Sequence, residues 1–271
     1  MNDIAVPRHY VAEQLNNRIV RDYIESKFHD LGLRVWRQGK CHNILASRAS
    51  GLENTRVIIG AHYDSVPGSP GADDNGSAIA TLLGVAETIN ALQLSGVAFV
   101  AFNREEDNLA GSREFVSWMA GIGAANVELV HVLEMTGYAR ETPGTQQSPQ
   151  GIPLDLGNTG DFIGLLANSR SGHVVEDVLD IRSVYVPRLP VKALKLFKAE
   201  ERLFPHLLRS DHTPFWDAGI QALLWTDTAE LRNPNYHKSG DVPETLDYEF
   251  LHRVTVLLAH SVYFTLVEKA V

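Results

Sequence analysis

Short apolar, β-branched runs alternate along the chain with longer segments of helical periodicity. This alternation is typical of a sheet covered by helices, which is an α/β fold. The clearest predicted strands are continuously apolar and therefore indicate the buried centre of a sheet: 57–61 (VIIGA), 97–102 (VAFVAF) and 127–133. Further strands are predicted over 33–37, 43–47, 162–167 and 220–225.

The helical segments are predicted over 11–31, 76–92, near 109–119, 173–181 and 248–267. In the first helix, four apolar residues are expected on or near one face: Leu15, Ile19, Ile24 and Phe28. The prolines and glycines of 139–157 predict a loop, whereas prolines interrupt 187–210 so often that no element is assigned there. The chain shows neither a repeat nor a linker typical of a domain boundary, so residues 1–271 are expected to form one domain.

The formal net charge of −9 limits the classes of partner. A nucleic acid or an anionic membrane requires a basic face, so neither is expected to bind, and no apolar stretch is expected to reach the length of a membrane span. Clustered carboxylates are tolerated where cations lie among them, so part of the acidic excess indicates a functional site. The single cysteine, Cys41, excludes an intramolecular disulfide. Together with the polar start at 1–10, it favours a cytoplasmic location.

Residues able to bind metals follow each of the three central strands. The first strand runs into His62 and Asp64, the second into Glu105 and Glu106, and the third into Glu134. Ligands of open α/β sheets gather beyond the carboxyl ends of parallel strands, so these side chains can converge. Because alternate side chains of an extended segment point the same way, Asp64 can accept from one ring nitrogen of His62 while the other binds metal.

Three features each have two interpretations when taken singly. Asp73 and Asp74 lie between glycines before an alanine-rich helix, where a carboxylate is either a cap or a ligand. Glu105 and Glu106 repel each other at the edge of a core, which fits one ligand beside one base but also an acidic turn. His237 lies in a late loop, where a lone histidine is more often exposed than bound to metal.

Taken together and in order, six segments of the chain resemble the M28 family of zinc aminopeptidases. They are GAHYDS (60–65), GADDNGS (71–77), FNREEDNLAGS (102–112), LEMTGY (133–138), SDHTPFWDAG (210–219) and NYHKSGD (235–241). The resemblance implies a three-layer α/β fold, with a central, mostly parallel mixed sheet and helices on both faces, as in zinc exopeptidases. It also implies two Zn²⁺ ions per chain and hydrolysis of the N-terminal bond of peptides that have a free N-terminus.

The resemblance further implies the metal ligands. One zinc would be bound by His62 and Glu134, the other by Glu106 and His237, with Asp74 as the bridge. The family often has an aspartate at the position of Glu134, so this chain departs there from the usual pattern. Three carboxylates and one bridging hydroxide would balance the charge of two Zn²⁺ ions, and nitrogen and oxygen are ligands that zinc prefers.

Roles in catalysis and support follow from the same resemblance. Glu105 would be the general base that takes a proton from a zinc-bridging water and returns it to the leaving amine. Tyr236 would donate to the oxyanion, as a tyrosine does at this position in some relatives. Asp64 would orient His62, and Asp211 is expected to support the site without binding metal.

Two other functions use much the same motifs. A glutaminyl cyclase has the same fold with one zinc, but its relatives typically lack the doubled aspartate of 73–74. A binding domain that had lost catalysis would not need Glu105, which this chain retains. A carboxypeptidase or dipeptidase remains open, because no residue is identified that reads a substrate terminus, and the oligomeric state is also open.

Overall fold

The computed structural model describes residues 1–124, 126–149, 155–197 and 203–267. The strands of these residues are β1 Arg34–Gln38, β2 Asn43–Ser47, β3 Val57–His62, β4 Val97–Phe102, β5 Leu129–Glu134, β6 Arg140–Pro143, β7 Thr159–Gly160, β8 Ile163–Asn168, β9 Val191–Leu196 and β10 Ala222–Thr226. The helices are α1 Gln14–Asp30, α2 Ala78–Ala91, α3 Ala110–Ile122, α4 Gly172–Tyr185, α5 His212–Asp217 and α6 Tyr248–Val267.

The main sheet has the strand order β1-β2-β4-β3-β5-β10-β8-β9. Its central strands β4, β3, β5 and β10 are parallel, whereas β1, β2 and β8 each join through antiparallel pairing. The carboxyl ends of the four central strands therefore meet at one edge, as expected for a mostly parallel mixed sheet. This common edge is what brings residues from distant parts of the sequence together.

Helices cover both faces of this sheet. Helices α1, α2, α4 and α6 pack on one face, and α3 and α5 pack on the other. Central strands such as β3 are buried along their whole length, which explains why their sequences are continuously apolar rather than alternating. The predicted three-layer α/β architecture is thus confirmed.

The apolar face predicted for α1 is wrong in its first half. Leu15 and Ile19 are 64% and 52% exposed, whereas Ile24 and Phe28 are fully buried together with Val20. At 3.6 residues per turn, Leu15 lies about two and a half turns before Ile24 and so points to the opposite side of the helix. The buried stripe begins later than the sequence pattern indicated.

Three strands, β6, β7 and β9, occupy regions where none was predicted. In the predicted loop 139–157, β6 pairs with β7 in a separate two-stranded sheet, and 150–154 lie outside the described residues. In the unassigned region 187–210, β9 pairs with β8 at the sheet edge, and 198–202 lie outside the described residues. The predictions for 150–154 and 198–202 are therefore not tested.

Helix α6 is long and apolar enough to cross a membrane by length and composition alone, with a mean hydropathy of 1.4. The expectation that no apolar stretch reaches this length is therefore wrong for this helix. Half of the same window is buried inside the protein, and α6 packs against α2 and α4 with Val254 and Leu258 fully buried. These packing contacts account for its apolar composition.

Candidate metal centre

The predicted metal ligands converge at the carboxyl edge of the central strands. His62 and Glu134 are the last residues of β3 and β5, and these two strands are parallel neighbours. Glu106 follows β4, which flanks β3 on its other side. Asp74 lies in the irregular helical segment Ala72–Ser77 that leads into α2, and His237 lies in the loop before α6. Adjacent parallel strands thus place the ligands of different segments within reach of one another.

The ligand atoms form two sets that share Asp74. In the first set, His62 Nε2 lies 3.3 Å from Asp74 Oδ1 and 3.4 Å from Glu134 Oε1. In the second set, His237 Nε2 lies 3.0 Å from Asp74 Oδ2 and 3.4 Å from Glu106 Oε2. The two oxygens of one carboxylate therefore face two different groups of ligands.

This arrangement fits zinc. A tetrahedral zinc with ligand bonds of about 2.0–2.2 Å holds its ligand atoms about 3.3–3.6 Å apart, and the separations given above are close to this range. Glu106 Oε1 is buried and has no hydrogen-bond partner among the described residues. Imidazole nitrogen and carboxylate oxygen are both usual zinc ligands. A cation would satisfy the carboxylate oxygen that the protein leaves unpaired.

The pKa values of the metal-free site reflect the same need for cations. Burial raises the pKa of Glu106 to about 9, and repulsion by Asp74 adds to the effect. Burial also raises the pKa of Glu105 well above its ordinary value, although His62 opposes this. Burial alone would lower the pKa of His62, but Glu134 and Glu105 raise it well above its ordinary value. Burial thus disfavours a negative charge on Glu105 and Glu106 unless a proton or a cation compensates for it.

Asp64 supports the site more extensively than the sequence predicts. His62 Nδ1 lies 3.2 Å from the main-chain carbonyl oxygen of Asp64 and 3.4 Å from its carboxylate Oδ1, so both groups are in a position to orient the ring. The same carboxylate accepts the main-chain N–H of Glu105 at 3.1 Å and of Glu106 at 3.4 Å. One buried carboxylate thus orients a ring from β3 and also holds the turn that follows β4.

The segment around Asp211 contacts the site through Ser210, whereas neither carboxylate oxygen of Asp211 has a hydrogen-bond partner among the described residues. Asp211 is buried, and burial raises its pKa to about 7 while His62 opposes the shift. Its neighbour Ser210 donates from Oγ to Glu134 Oε2 at 2.6 Å, a contact that the sequence analysis missed. Ser210 is the first residue of the SDHTPFWDAG segment, so the motif contained the signal although no role was assigned to it. Ser210 therefore fixes the orientation of Glu134, the predicted ligand that departs from the family pattern.

Two further residues hold the segments that carry ligands. The Asp241 carboxylate accepts the main-chain N–H groups of Asp73 at 2.9 Å and Asp74 at 3.0 Å. Asn75, which follows a cis peptide bond, donates to the carbonyl of Leu133 at 3.0 Å and accepts the N–H of Met135 at 2.8 Å. Both are in recognised motifs, but no sequence pattern indicates these partners.

A cleft of about 750 Å³ opens onto the cluster of ligands. Glu105 and Tyr236 line it, and the Tyr236 ring stacks on His237 with the ring centroids 3.8 Å apart. Burial raises the pKa of Tyr236, so its hydroxyl stays protonated and able to donate. Apolar residues form much of the remaining wall: Leu156, Phe162, Leu165, Leu207, Leu208 and Leu224. The volume is typical of a site for a small ligand.

Comparison with known proteins places the chain among peptidases. The model for peptidase family M28 matches residues 43–262. The uncharacterized protein YfbL of Escherichia coli (strain K12) is 33% identical over 86% of this chain and 76% of its own length. The aminopeptidase YwaD of Bacillus subtilis (strain 168) is 28% identical over 76% of this chain, which spans 40% of that relative.

A solved structure extends the comparison to the fold. The structure of BSAP, a zinc aminopeptidase from Bacillus subtilis, has a TM-score of 0.61 and 25% identity, covering 82% of this chain and 50% of that one. The chain thus spans half or less of the length of the two Bacillus subtilis proteins. Because the family model covers most of the chain and YfbL shares a third of the aligned residues, the chain belongs to peptidase family M28, as its motifs predict.

Proposed function

We propose that this protein is a zinc aminopeptidase that releases the N-terminal residue of peptides with two zinc ions on either side of Asp74. The observation that carries the proposal is the position of Asp74, whose two oxygens face separate histidine–carboxylate sets. The names of YwaD and BSAP, an aminopeptidase and a zinc aminopeptidase, support the assignment.

The ligand sets divide the cluster into two positions for zinc. His62 and Glu134 would hold one ion, His237 and Glu106 the other, and Asp74 both. Zinc supplies a Lewis acid that polarises a carbonyl and lowers the pKa of water to about 7. Ser210 and Asp64 would orient Glu134 and His62 through the contacts described above, so that these ligands need little rearrangement to bind.

Glu105 would move the proton. Its carboxylate lines the cleft, lies outside both ligand sets, and has its main chain held by Asp64. It would take a proton from the attacking water and deliver it to the leaving amine. The Tyr236 hydroxyl would donate to the oxyanion that develops on the scissile carbonyl.

The charge at the end of the cleft favours a substrate with a free amine. Four carboxylates line this end: Asp74, Glu105, Glu106 and Glu134. Two zinc ions and a hydroxide would balance the charges of Asp74, Glu106 and Glu134, so Glu105 is the carboxylate that keeps its negative charge beside the metals. A negative charge there attracts the ammonium group of a peptide N-terminus and repels a C-terminal carboxylate. This favours an aminopeptidase over a carboxypeptidase. The apolar wall offers space for an apolar side chain of the released residue.

The experiment combines zinc counting with a matched set of peptides. Zinc per chain is measured by mass spectrometry after reconstitution, and one peptide is offered with a free N-terminus, acetylated, amidated at its C-terminus, and with N-terminal glutamine. We expect two zinc ions and hydrolysis of every peptide except the acetylated one. One zinc with cyclisation of glutamine would indicate a glutaminyl cyclase, and zinc without any turnover a binding domain.

Two controls make the assignment of the base specific. Glu105→Gln keeps the size of the side chain but removes the proton acceptor, whereas Glu87→Gln makes the same change at an exposed position of α2. Only the first variant is expected to lose hydrolysis, and both are expected to retain zinc. Hydrolysis that requires a free C-terminal carboxylate would instead indicate a carboxypeptidase and contradict the proposal.

A further inference from the structure

We propose that Arg8 is a positioning residue of the metal centre, which ties together the two ends of the loop that joins His62 to the segment of Asp74. The inference rests on the proposed function, since it concerns the same zinc site. It adds a part of the chain that precedes the region matched by the family model, which begins at residue 43. The N-terminal segment, residues 1–13, would then help to position the metal ligands.

The Arg8 guanidinium binds carbonyl groups on both sides of the loop that follows His62. The Arg8 side chain is completely buried. It donates to the carbonyl oxygens of Tyr63 at 2.6 Å, Pro70 at 2.5 Å and Gly71 at 2.9 Å. Tyr63 directly follows the ligand His62, and Gly71 begins the segment that carries Asp74. One planar, rigid group therefore sets the distance between the two ends of the loop that joins His62 to Asp74, and these two residues belong to the same ligand set.

A second path of hydrogen bonds leads from Arg8 towards the other zinc set. The Arg8 main-chain N–H donates to Ser65 Oγ at 3.1 Å, and Ser65 Oγ donates to the Ser69 carbonyl at 3.0 Å. Ser69 Oγ in turn donates to the carbonyl of Lys238 at 3.0 Å. Lys238 directly follows the ligand His237. Hydrogen bonds thus connect Arg8 to the loop between His62 and Asp74 and, through Ser69, to the loop that carries His237.

Arg8 is also linked, through Asn17, to the loop that carries the proposed base, Glu105. Asn17 Nδ2 donates to the Arg8 carbonyl at 2.9 Å and to Asn103 Oδ1 at 3.0 Å. Asn103 lies two residues before Glu105 and is itself buried. The position of Arg8 is therefore coupled, through buried hydrogen bonds, to two connections, the one that joins β3 to α2 and the one that follows β4.

Arg8 carries a buried positive charge close to the acidic cluster. No carboxylate forms an ion pair with Arg8 among the described residues, because carbonyl oxygens accept its hydrogen bonds. Burial lowers the pKa of Arg8 to about 10, while Asp64, Asp74, Asp241 and Glu106 oppose the shift. The guanidinium thus stays charged near neutral pH. A fixed positive charge behind the acidic cluster reduces the repulsion between its carboxylates before zinc binds.

Gly71 shows how closely the loop must approach Arg8. Its φ of +58° lies in the left-handed region, and a Cβ would be 2.2 Å from the Asp74 carbonyl oxygen and 3.0 Å from Arg8 Nη1. A side chain at this position would therefore separate the loop from the guanidinium. The close approach and the hydrogen bonds are two independent features that place Arg8 against the segment of the bridging ligand.

The test measures zinc affinity in the absence of substrate. Arg8→Met removes the charge and the donors, Arg8→Lys keeps the charge but has fewer donors, and Arg18→Met changes an exposed arginine on α1 as the control. Zinc dissociation constants come from competition with a chelator, on protein shown to be folded by circular dichroism. We expect affinity to fall by about 10- to 100-fold for Arg8→Met, less for Arg8→Lys, and not for the control.

Kinetics at saturating zinc separate positioning from general stability. We expect kcat to fall while KM stays within about twofold, because Arg8 does not line the cleft. A lower melting temperature with an unchanged zinc dissociation constant and kcat would show that Arg8 only stabilises the fold and would overturn the proposal. If Arg8→Met does not fold, unchanged zinc affinity in Arg8→Lys overturns it instead. A parent protein that binds zinc but cleaves no peptide contradicts the proposed activity, not this role.

Discussion

Zinc binding requires a negatively charged Glu106, whereas the same charge destabilises the folded protein when no metal is bound. The Glu106 side chain is 9% exposed, its Oε1 has no hydrogen-bond partner among the described residues, and Asp74 lies nearby. Glu106→Gln removes the negative charge but preserves the size of the side chain. We expect the metal-free variant to be more stable than the metal-free parent near neutral pH, although the variant binds zinc less tightly.

The magnitude follows from the pKa of Glu106. Burial raises this pKa from 4.5 to about 9 in the folded metal-free protein. Between these two values, the folded state holds a proton that the unfolded chain has released, so the free energy of unfolding falls as the pH rises. At about 1.4 kcal/mol per pH unit, the loss between pH 4.5 and neutral pH amounts to about 3 kcal/mol. Glutamine avoids this loss because it carries no charge.

The assay is chemical denaturation of the parent and Glu106→Gln after removal of metal, at several pH values. The stability difference should be below about 1 kcal/mol near pH 5 and should rise to about 3 kcal/mol near neutral pH. With zinc bound, the order should reverse, because only the carboxylate form is a ligand. Glu87→Gln, at an exposed position, serves as the control. If metal-free Glu106→Gln is no more stable than the parent above pH 7, Glu106 is not a buried, repelled carboxylate.

Four shorter predictions concern other parts of the molecule. Glu105→Gln should retain zinc by mass spectrometry but lose about 10²- to 10⁴-fold in kcat, and near-parental turnover would exclude it as the base. Ser210→Ala should weaken zinc binding about 10-fold in chelator competition, because Glu134 loses its donor. Removal of zinc should lower the melting temperature near neutral pH, and an unchanged melting curve would contradict an acidic zinc site. Leu258→Ala in α6 should lower the free energy of unfolding by about 2–5 kcal/mol without changing the zinc content.

The strands that carry the site could be predicted from the sequence because their signal is local. Each central strand is a continuous apolar run, and the residues with metal-binding side chains follow it directly in the chain. Strand β9 could not be predicted in the same way. Its sequence, VKALKL, mixes lysines with apolar residues, because it is a partly exposed edge strand whose only strand partner among the described residues is β8.

The predicted ligands lie together in the structure, whereas most of their supporting contacts were not predicted. Motifs named His62, Asp74, Glu106, Glu134 and His237, and the structure brings their ligand atoms into two adjoining sets. The hydrogen bond from Ser210 to Glu134 and the contacts of Asn75 with the end of β5 join residues about 60 to 76 positions apart. Such pairs have no periodic pattern in the sequence.

The amino-acid sequence by itself determined the family, the central strands and the types of residue at the strand ends, because these depend on neighbouring positions in the chain. Only the tertiary structure decided that each oxygen of Asp74 faces a different histidine and that Arg8 binds carbonyls at both ends of the loop between His62 and Asp74. The physical reason is that strand order and register set these distances. Carbonyl oxygens are present in every residue, so no side-chain motif can identify the acceptors of a buried arginine.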